Sequence, residues 1–409
     1  MQNWAGNITY STKRVLRPRS TAEARELVAD TDALRPLGTG HSFTRVGDST
    51  GALLSTQHLD RVVEIGDGTV TVEAGIRYGV LATALAEHGL ALPNLASLPH
   101  ISVGGAIATG THGSGAQNRS LSAGVAELVC ADGSVRRLAR GDADFAGAVV
   151  SLGAIGLVTR VSLDVVAAFE LRQYVFEELS WPAAGADLEA VLAGGYSVSL
   201  LTSWTEPAIG QVWVKTRERL DLQASYFGAT PATRPRHPVP GAPWENCTDQ
   251  LGVAGPSHER LPHFRLGFTP SSGAELQSEY AVPREHGLDA LRALRRLADL
   301  VAPVLIVSEI RAVRGDDLWL SPFHQQDSVA FHFTWEPRID DVLSVLPHVE
   351  AALAPFRIRP HWGKLFAASP KQLAAVYPRL PDFRRLVRSL DGGGKFRNDF
   401  VARFIFGEA

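Results

Sequence analysis

Two segments rich in glycine constrain this chain more than any other feature: Arg35-Pro36-Leu37-Gly38-Thr39-Gly40-His41-Ser42-Phe43, and Pro99-His100-Ile101-Ser102-Val103-Gly104-Gly105-Ala106-Ile107-Ala108-Thr109-Gly110-Thr111-His112-Gly113-Ser114-Gly115. Glycine lets the backbone take positive φ and come close to a ligand, and consecutive amides can then converge on an anion. Small residues and hydroxyls recur in both segments, as a diphosphate cradle requires. Neither segment is a Rossmann fingerprint, because Gly38-Thr39-Gly40 lacks the third glycine and the strand–helix frame. No Lys-Ser/Thr pair follows a glycine loop, which excludes a P-loop. On glycine content alone, tight turns remain the commoner explanation.

Up to residue 170, short strands alternate with helices around these segments. Ser20 and Glu23 have capping-box spacing ahead of a helix over Thr21–Val28. Leu53-Leu54-Ser55 reads as a strand. Val62–Ile65 and Thr69–Glu73 form a hairpin pattern around Gly66-Asp67-Gly68, and Val125–Cys130 and Ser134–Leu138 another around Asp132-Gly133. Tyr78–His88 has helical spacing and stops at Gly89, and Gly156–Val165 is rich in β-branched residues. From about residue 171 the texture changes. The Pro-rich stretch Thr230–Pro243 has neither pattern and reads as a long surface excursion or a lid. Strands follow at Glu275–Val282, Val304–Val313, Val329–Trp335 and Arg357–Trp362, with helices at Arg284–Leu300 and Asp340–Leu353 between them. That alternation predicts helices packed on one face of a sheet. The tail, Gln372–Ala409, holds one more helix and the segment Asp391–Phe406.

At 409 residues with 45% hydrophobic and 20% charged side chains, the chain is long enough for two globular domains. Its formal net charge is −3 and no block of like charges stands out, which argues against nucleic acid or an anionic membrane as main partner. Cys130 and Cys247 are far apart and in no CxxC pattern, so a disulfide framework is not expected, although one bridge stays open. The start, Met1-Gln2-Asn3-Trp4-Ala5-Gly6-Asn7, has no signal-peptide pattern, and no apolar run approaches the roughly 18 residues of a membrane span. The expectation is a soluble, cytoplasmic monomer.

Side chains two apart share a face of a strand. In Val304–Val313, Leu305, Val307, Glu309 and Arg311 lie together; in Ser328–Trp335, Ala330, His332 and Thr334 make a small polar face opposite Val329, Phe331, Phe333 and Trp335. From pattern alone these polar faces meet water, with Glu309 and Arg311 a surface ion pair of little energetic value.

The combination of segments resembles the vanillyl-alcohol-oxidase-like FAD-binding family over nearly the whole chain. Pro36, Leu37, Gly38, Thr39, Gly40, His41 and Ser42, running on to Phe43, match its pyrophosphate loop, with His41 at the covalent-flavin position. Val70–Gly75 followed by Gly89–Asn94 matches the next block. Ser102 to Gly115 matches the second flavin-binding block, with Ser102, Gly105, Ala108, Thr109 and His112 facing the cofactor by that likeness. Ser151–Thr159 matches the strand along the flavin, placing Val158 beside it, and Gly394-Lys395-Phe396-Arg397-Asn398 matches the returning segment, placing Asn398 there. Within the family the likeness is nearest to the bacterial alditol oxidases, through Asn3–Asn7, Ala96–Ser102, Glu309-Ile310-Arg311 and Pro360–Lys364.

The resemblance implies an α+β fold: a two-part FAD-binding domain over 1–170, a substrate or cap domain over 171–370 with an antiparallel sheet covered by helices, and a segment over 371–409 returning to the first domain. It implies FAD bound covalently through His41, Ser97 between flavin and substrate, and a polyol site lined by Glu309, Arg311, His332, Thr334 and Lys364, with no metal. The expected reaction oxidises a terminal hydroxyl of an alditol of the xylitol or sorbitol type to the aldose, reducing O2 to H2O2. Developing negative charge on the hydroxyl oxygen needs fixed donors, which Arg311 supplies. Lys364, if buried near Arg311, can accept the proton, and Glu309 can orient neighbouring hydroxyls. The alternatives are an aldonolactone oxidase or dehydrogenase of the same family, a flavin- or sugar-binding protein without turnover, and an NADPH-dependent reductase, for which no nicotinamide motif is present.

Overall fold

The computed structural model describes residues 1–119, 123–268 and 275–408. Its architecture is α+β, with large antiparallel sheets. A three-stranded parallel sheet joins Val15–Leu16, Ala52–Ser55 and Leu34–Leu37. A five-stranded antiparallel sheet runs in the order Val62–Ile65, Thr69–Glu73, Leu157–Asp164, Ala123–Val129, Val135–Ala139. Both expected hairpins are part of it, and Gly68 and Gly133 turn them with φ of 74° and 78°. Strand Thr69–Glu73 alternates, with Val70 and Val72 buried. They share an apolar core with Tyr78, Leu81 and Leu85 of helix Tyr78–Glu87 and with Phe383, Leu386 and Val387 of helix Leu380–Leu390.

The other large sheet has nine strands, every pair antiparallel. Its path is Thr230–Pro231, Glu170–Ser180, Ala208–Thr216, Ser197–Thr202, Leu305–Val313, Ser328–Trp335, Leu276–Pro283 and Arg359–Pro360, with Ala254–Pro256 also on Glu170–Ser180. One face carries Ile310, Phe331, Phe333 and Tyr280 into a second core with Leu291 and Leu294 of helix Gly287–Arg295 and Val342 and Leu346 of helix Ile339–Leu353. The opposite face carries Glu309, Arg311, His332 and Thr334, as alternation requires. Because pairing is in register, Glu309 lies opposite His332, and His332 opposite Glu279.

Several local expectations need correction. The stretch Arg284–Leu300 is a 3₁₀ turn followed by helices Gly287–Arg295 and Ala298–Val301, not one helix. Gly287 sits hard against the sheet, where a Cβ would meet Val329 Cγ2 at 2.6 Å. Of Arg357–Trp362 only Arg359–Pro360 pairs as strand, since Arg357 takes a left-handed φ of 53° after the preceding helical turn. The tail holds two helices, Pro370–Val376 and Leu380–Leu390, and a short helical end; Pro378 stops the first and Pro381 opens the second. Its last residue, Ala409, lies outside the described residues. At Ser20 only half of the capping box forms: its side chain accepts from Glu23 N, while Glu23 Oε2 accepts from Arg19 N. Within Thr230–Pro243, Thr230–Pro231 pairs with Glu170–Ser180, and Arg236 grips Glu177 through two contacts of 2.7 Å. The stretch is therefore a tethered strap. Cys130 and Cys247 are both free and buried.

One buried cation ties distant parts of the chain together. Arg35, 1% exposed, donates to the carbonyls of Val46, Gly153, Leu152 and Phe396. Burial lowers it to about 10, so it stays charged at neutral pH. Removing the fork leaves several buried acceptors without donors. Arg35→Met should therefore lower the unfolding free energy by about 3 kcal/mol or more, with Arg35→Lys recovering only part. Urea denaturation measures this, and a loss below about 1 kcal/mol would show that the fork is dispensable.

Candidate active site

One cavity of about 420 Å³ runs from the first glycine segment to the polar face of the nine-stranded sheet. At one end, the backbone leaves strand Leu34–Leu37 and turns at Gly40, whose φ is 70° and whose carbonyl accepts from Trp4 N at 2.8 Å. Space is tight by design of the sequence. A Cβ on Gly38 would lie 2.4 Å from Ser102 Oγ, and one on Gly104 2.7 Å from the Ala74 Cβ. His41 stacks on Trp4, with ring centres 4.8 Å apart, and its ring nitrogens face Thr39 Oγ1 at 3.0 Å and His100 Nε2 at 2.7 Å. Burial, reinforced by His100, lowers His41 to about 3, so the imidazole is neutral and keeps a lone pair.

This end fits a cofactor that brings its own hydrogen bonds. Thr56 Oγ1 and Ser151 Oγ line it buried and without partners, and Ser102 Oγ and His100 Nδ1 are likewise unsatisfied behind the glycine wall. Buried polar atoms are rarely left in this state without a ligand or solvent to complete them.

At the other end the sheet presents a compact charge cluster centred on Glu279, which is 2% exposed. Glu279 Oε1 meets Arg311 Nη2 at 2.6 Å and His112 Nε2 at 3.0 Å; Oε2 takes a bond from Lys364 Nζ and lies 3.4 Å from His332 Nδ1. Burial alone would raise this carboxyl, but Lys364, Arg311 and His112 outweigh it and hold Glu279 well below the ordinary carboxylate range. Glu309 behaves in the same way: burial is overcome by Arg311, 3.6 Å away, and His263, 2.8 Å away. Lys364 also reaches His332 Nδ1 at 2.8 Å. Burial lowers Lys364 against the opposing pull of Glu279, and burial with Lys364 lowers His332 to about 4. Arg311, compressed between two carboxylates that offset its burial, is raised and permanently cationic. The ensemble offers fixed donors at Arg311, an amine with a weakened hold on its proton at Lys364, and a neutral imidazole at His332 beside them.

Nearly every residue expected from the sequence converges here. Pro36, Leu37, Gly38, Thr39, Gly40, His41, Ser42, Ser97, Gly105, Ala108, Thr109, His112, Val158, Glu309, Arg311, His332, Thr334 and Lys364 all line the cavity. Two do not. Ser102 stands just behind the wall, against Gly38 and Gly105. Asn398 lies away from the lining: its amide donates to the carbonyls of Arg45, Val46 and Asp48, and its Oδ1 caps Val401 N, so it fastens the loop behind the cavity. His112, expected beside the cofactor, also belongs to the charge cluster through Glu279. Contributors that were not anticipated include Glu279, Gln277 and His263. Glu279 and Gln277 share a face of Leu276–Pro283, and the alternation rule applied to that strand would have found them. His263 comes from a loop with no periodic signal.

Comparison with known proteins agrees with this geometry. Residues 12–139 match the family model described as FAD binding domain, and residues 274–404 match that of D-arabinono-1,4-lactone oxidase. The chain is 53% identical to an alditol oxidase from a Streptomyces species over 412 residues, covering 99% of each chain. It is 28% identical to an L-gulono-1,4-lactone dehydrogenase of Mycobacterium tuberculosis, covering 98% of each. Among solved structures, a solvent-stable cholesterol oxidase superposes with a TM-score of 0.77 at 16% identity, covering 99% of this chain and 97% of that one, a likeness of fold.

If Glu279 holds the cluster together as an anion, Glu279→Gln should cost about 3 kcal/mol or more at pH 7 by leaving Arg311 and Lys364 without their shared partner. A carboxyl held below its ordinary value of 4.5 stabilises the fold fully above that value and loses the contribution as pH falls toward the lower folded value. The difference in thermal midpoint between the two proteins should therefore shrink on acidification below about pH 4.5. An equal gap at pH 7 and pH 3.5 would mean that folding does not lower the Glu279 carboxyl, and a gap that widens on acidification that folding raises it.

Proposed function

The chain belongs to the vanillyl-alcohol-oxidase-like FAD-binding family, and from that premise we propose that it is an FAD-dependent alditol oxidase whose flavin is bonded covalently to His41. The observation that carries the proposal is the polarity of one cavity: a neutral imidazole in a glycine cradle at one end, Arg311, Lys364 and Glu309 at the other. The substrate is a xylitol- or sorbitol-like alditol, oxidised at a terminal carbon, so that alditol and O2 yield aldose and H2O2. When bound, FAD supplies the acceptor for the hydride leaving carbon and passes the electron pair to oxygen.

The chain's own residues do the rest. Arg311 holds the reacting oxygen through a fixed donor fork as negative charge gathers there. Lys364, whose hold on its proton burial weakens, takes the hydroxyl proton in its deprotonated form, and the ammonium so restored is stabilised by Glu279. Glu309 and Thr334 accept and orient hydroxyls further along the polyol, and Ser97, a residue of the cavity wall, stands in this reading between flavin and substrate. A buried site that expects many hydroxyls penalises a ligand that leaves its groups unpaired, so simple alkanols are poor substrates. In this reading 1–170 and 371–409 hold the flavin and 171–370 the alditol, and the protein acts as a cytoplasmic monomer without nucleic acid or membrane partners. No helix among the described residues is long and apolar enough to cross a membrane.

A second reading, oxidation of an aldonolactone, draws support from the lactone-oxidase description of residues 274–404. The two separate in one anaerobic experiment. Xylitol and sorbitol should bleach the flavin and aldonolactones should not; the reverse pattern would replace the first reading by the second. Arg311→Met should slow that bleaching by about a hundred- to a thousandfold. Attachment has its own readout: after acid precipitation the yellow colour should stay with the pellet, and in His41→Ala it should move to the supernatant. Colour released from the unaltered protein would remove the covalent bond from the proposal.

A further inference from the structure

Glu309 is gripped by His263, a residue of the cavity wall that is itself held from behind. Glu309 Oε1 lies 2.8 Å from His263 Nε2. Behind the imidazole, Lys215 of strand Ala208–Thr216 is 1% exposed and outside the cavity lining. Its ammonium faces three acceptors: the carbonyls of Leu261 at 2.5 Å and Pro262 at 3.2 Å, and His263 Nδ1 at 3.3 Å. Burial lowers Lys215 to about 7, so the tautomer is read from the other side of the ring: Glu309 is ionised and can only accept, Nε2 must donate to it, and Nδ1 is left to receive from Lys215. Burial, reinforced by Lys215, lowers His263 and keeps the ring neutral, so its single proton sits on Nε2, aimed at Glu309. Trp213 closes the ring's edge, with centres 5.1 Å apart at 74°, and the loop is pinned where Thr248 N donates to His263 O. Neither Lys215 nor His263 is itself assigned a part in the oxidation of the alditol above.

We propose that Lys215 and His263 are a positioning pair for Glu309: the lysine, facing Nδ1, holds the imidazole in the tautomer that donates to Glu309, and the imidazole fixes one carboxylate oxygen, leaving Oε2, 3.6 Å from Arg311 Nη1, to receive an inner hydroxyl of the polyol. The assignment rests on the alditol reading for its kinetic consequence, and on geometry alone for its tautomer. A carboxylate that recognises an inner hydroxyl contributes to binding of the whole polyol, while the hydride and proton leave the terminal carbon and oxygen. Loss of the pair therefore acts on KM much more than on kcat.

The kinetic test uses the purified flavoprotein with xylitol. Lys215→Met and His263→Leu should each raise KM about tenfold with far smaller changes in kcat, by loss of one hydrogen bond to a charged group. The double variant should be no worse than either single one, because the two residues act as a unit. His263→Gln, whose amide can still donate to Glu309, should recover most of the loss. Equal falls in kcat, additive effects, or no rescue by glutamine would overturn the pair. Should Lys215→Met not fold, the leucine and glutamine variants at position 263 decide alone. Nitrogen-15 chemical shifts of labelled histidine give a readout free of the substrate: His263 should carry its proton on Nε2, and a proton on Nδ1 would refute the proposal even if alditols are oxidised. If alditols are not substrates at all, the same shifts still judge the pair.

Discussion

The structure is organised around the expense of taking four charges out of water together. Glu279, Glu309 and Arg311 occupy one face of a sheet with little solvent, and Lys364 reaches the same face from the turn after Arg359–Pro360. Each alone would be strongly destabilising there, and a buried ion pair repays its desolvation only with close geometry and every remaining lone pair satisfied. The antiparallel register supplies that geometry. Glu309, His332 and Glu279 stand directly across three neighbouring strands, with Ala330 and Ala281 in the next row, opposite Arg311, leaving room for its guanidinium. A slip of one residue in any of the three would turn a charge into the apolar core on the far side. The cluster is thus both the chemical apparatus and the most demanding constraint on how the sheet forms.

The opposite end of the cavity is built by a different means. There the backbone does the shaping, with glycines at positions where any side chain would strike Ser102 or Ala74, and the polar atoms that remain are left for a ligand to complete. Rigid charge at one end and an unfinished hydrogen-bond surface at the other divide the labour between cofactor and polyol. Arg35 braces the first end from beneath in the same currency, a buried cation matched to carbonyls, that Arg311 uses with carboxylates at the second.

How much of this can be read from sequence depends on which physical signal each part leaves. Hairpins with glycine turns were plain, and strand Leu305–Val313 was placed to within a residue, two charges following an apolar stretch on one of its faces. Strands Ser197–Thr202 and Ala208–Thr216 left no comparable trace: nearly all of their residues are buried on both faces, which erases alternation. Glu309 and Arg311 look from pattern like a surface pair, and only the fold reveals that they are inside. His263 and Lys215 illustrate the limit, since a lone loop histidine and a lone strand lysine meet only through tertiary structure. Asn398 carries a motif-like signal whose geometric meaning is a clamp on the 45–48 loop.

The bond from Arg35 to the carbonyl of Phe396 spans 361 positions in the chain. Leu34 N reaches the carbonyl of Lys395 beside it, and Asn398 holds the loop next to Arg35. During translation the glycine loop therefore emerges from the ribosome long before the segment that shuts its floor, by roughly 20–70 s at ordinary elongation rates. For that interval a nascent chain carries a nucleotide cradle open at its base. The floor of that cradle is complete only once residues 395–398 have joined it.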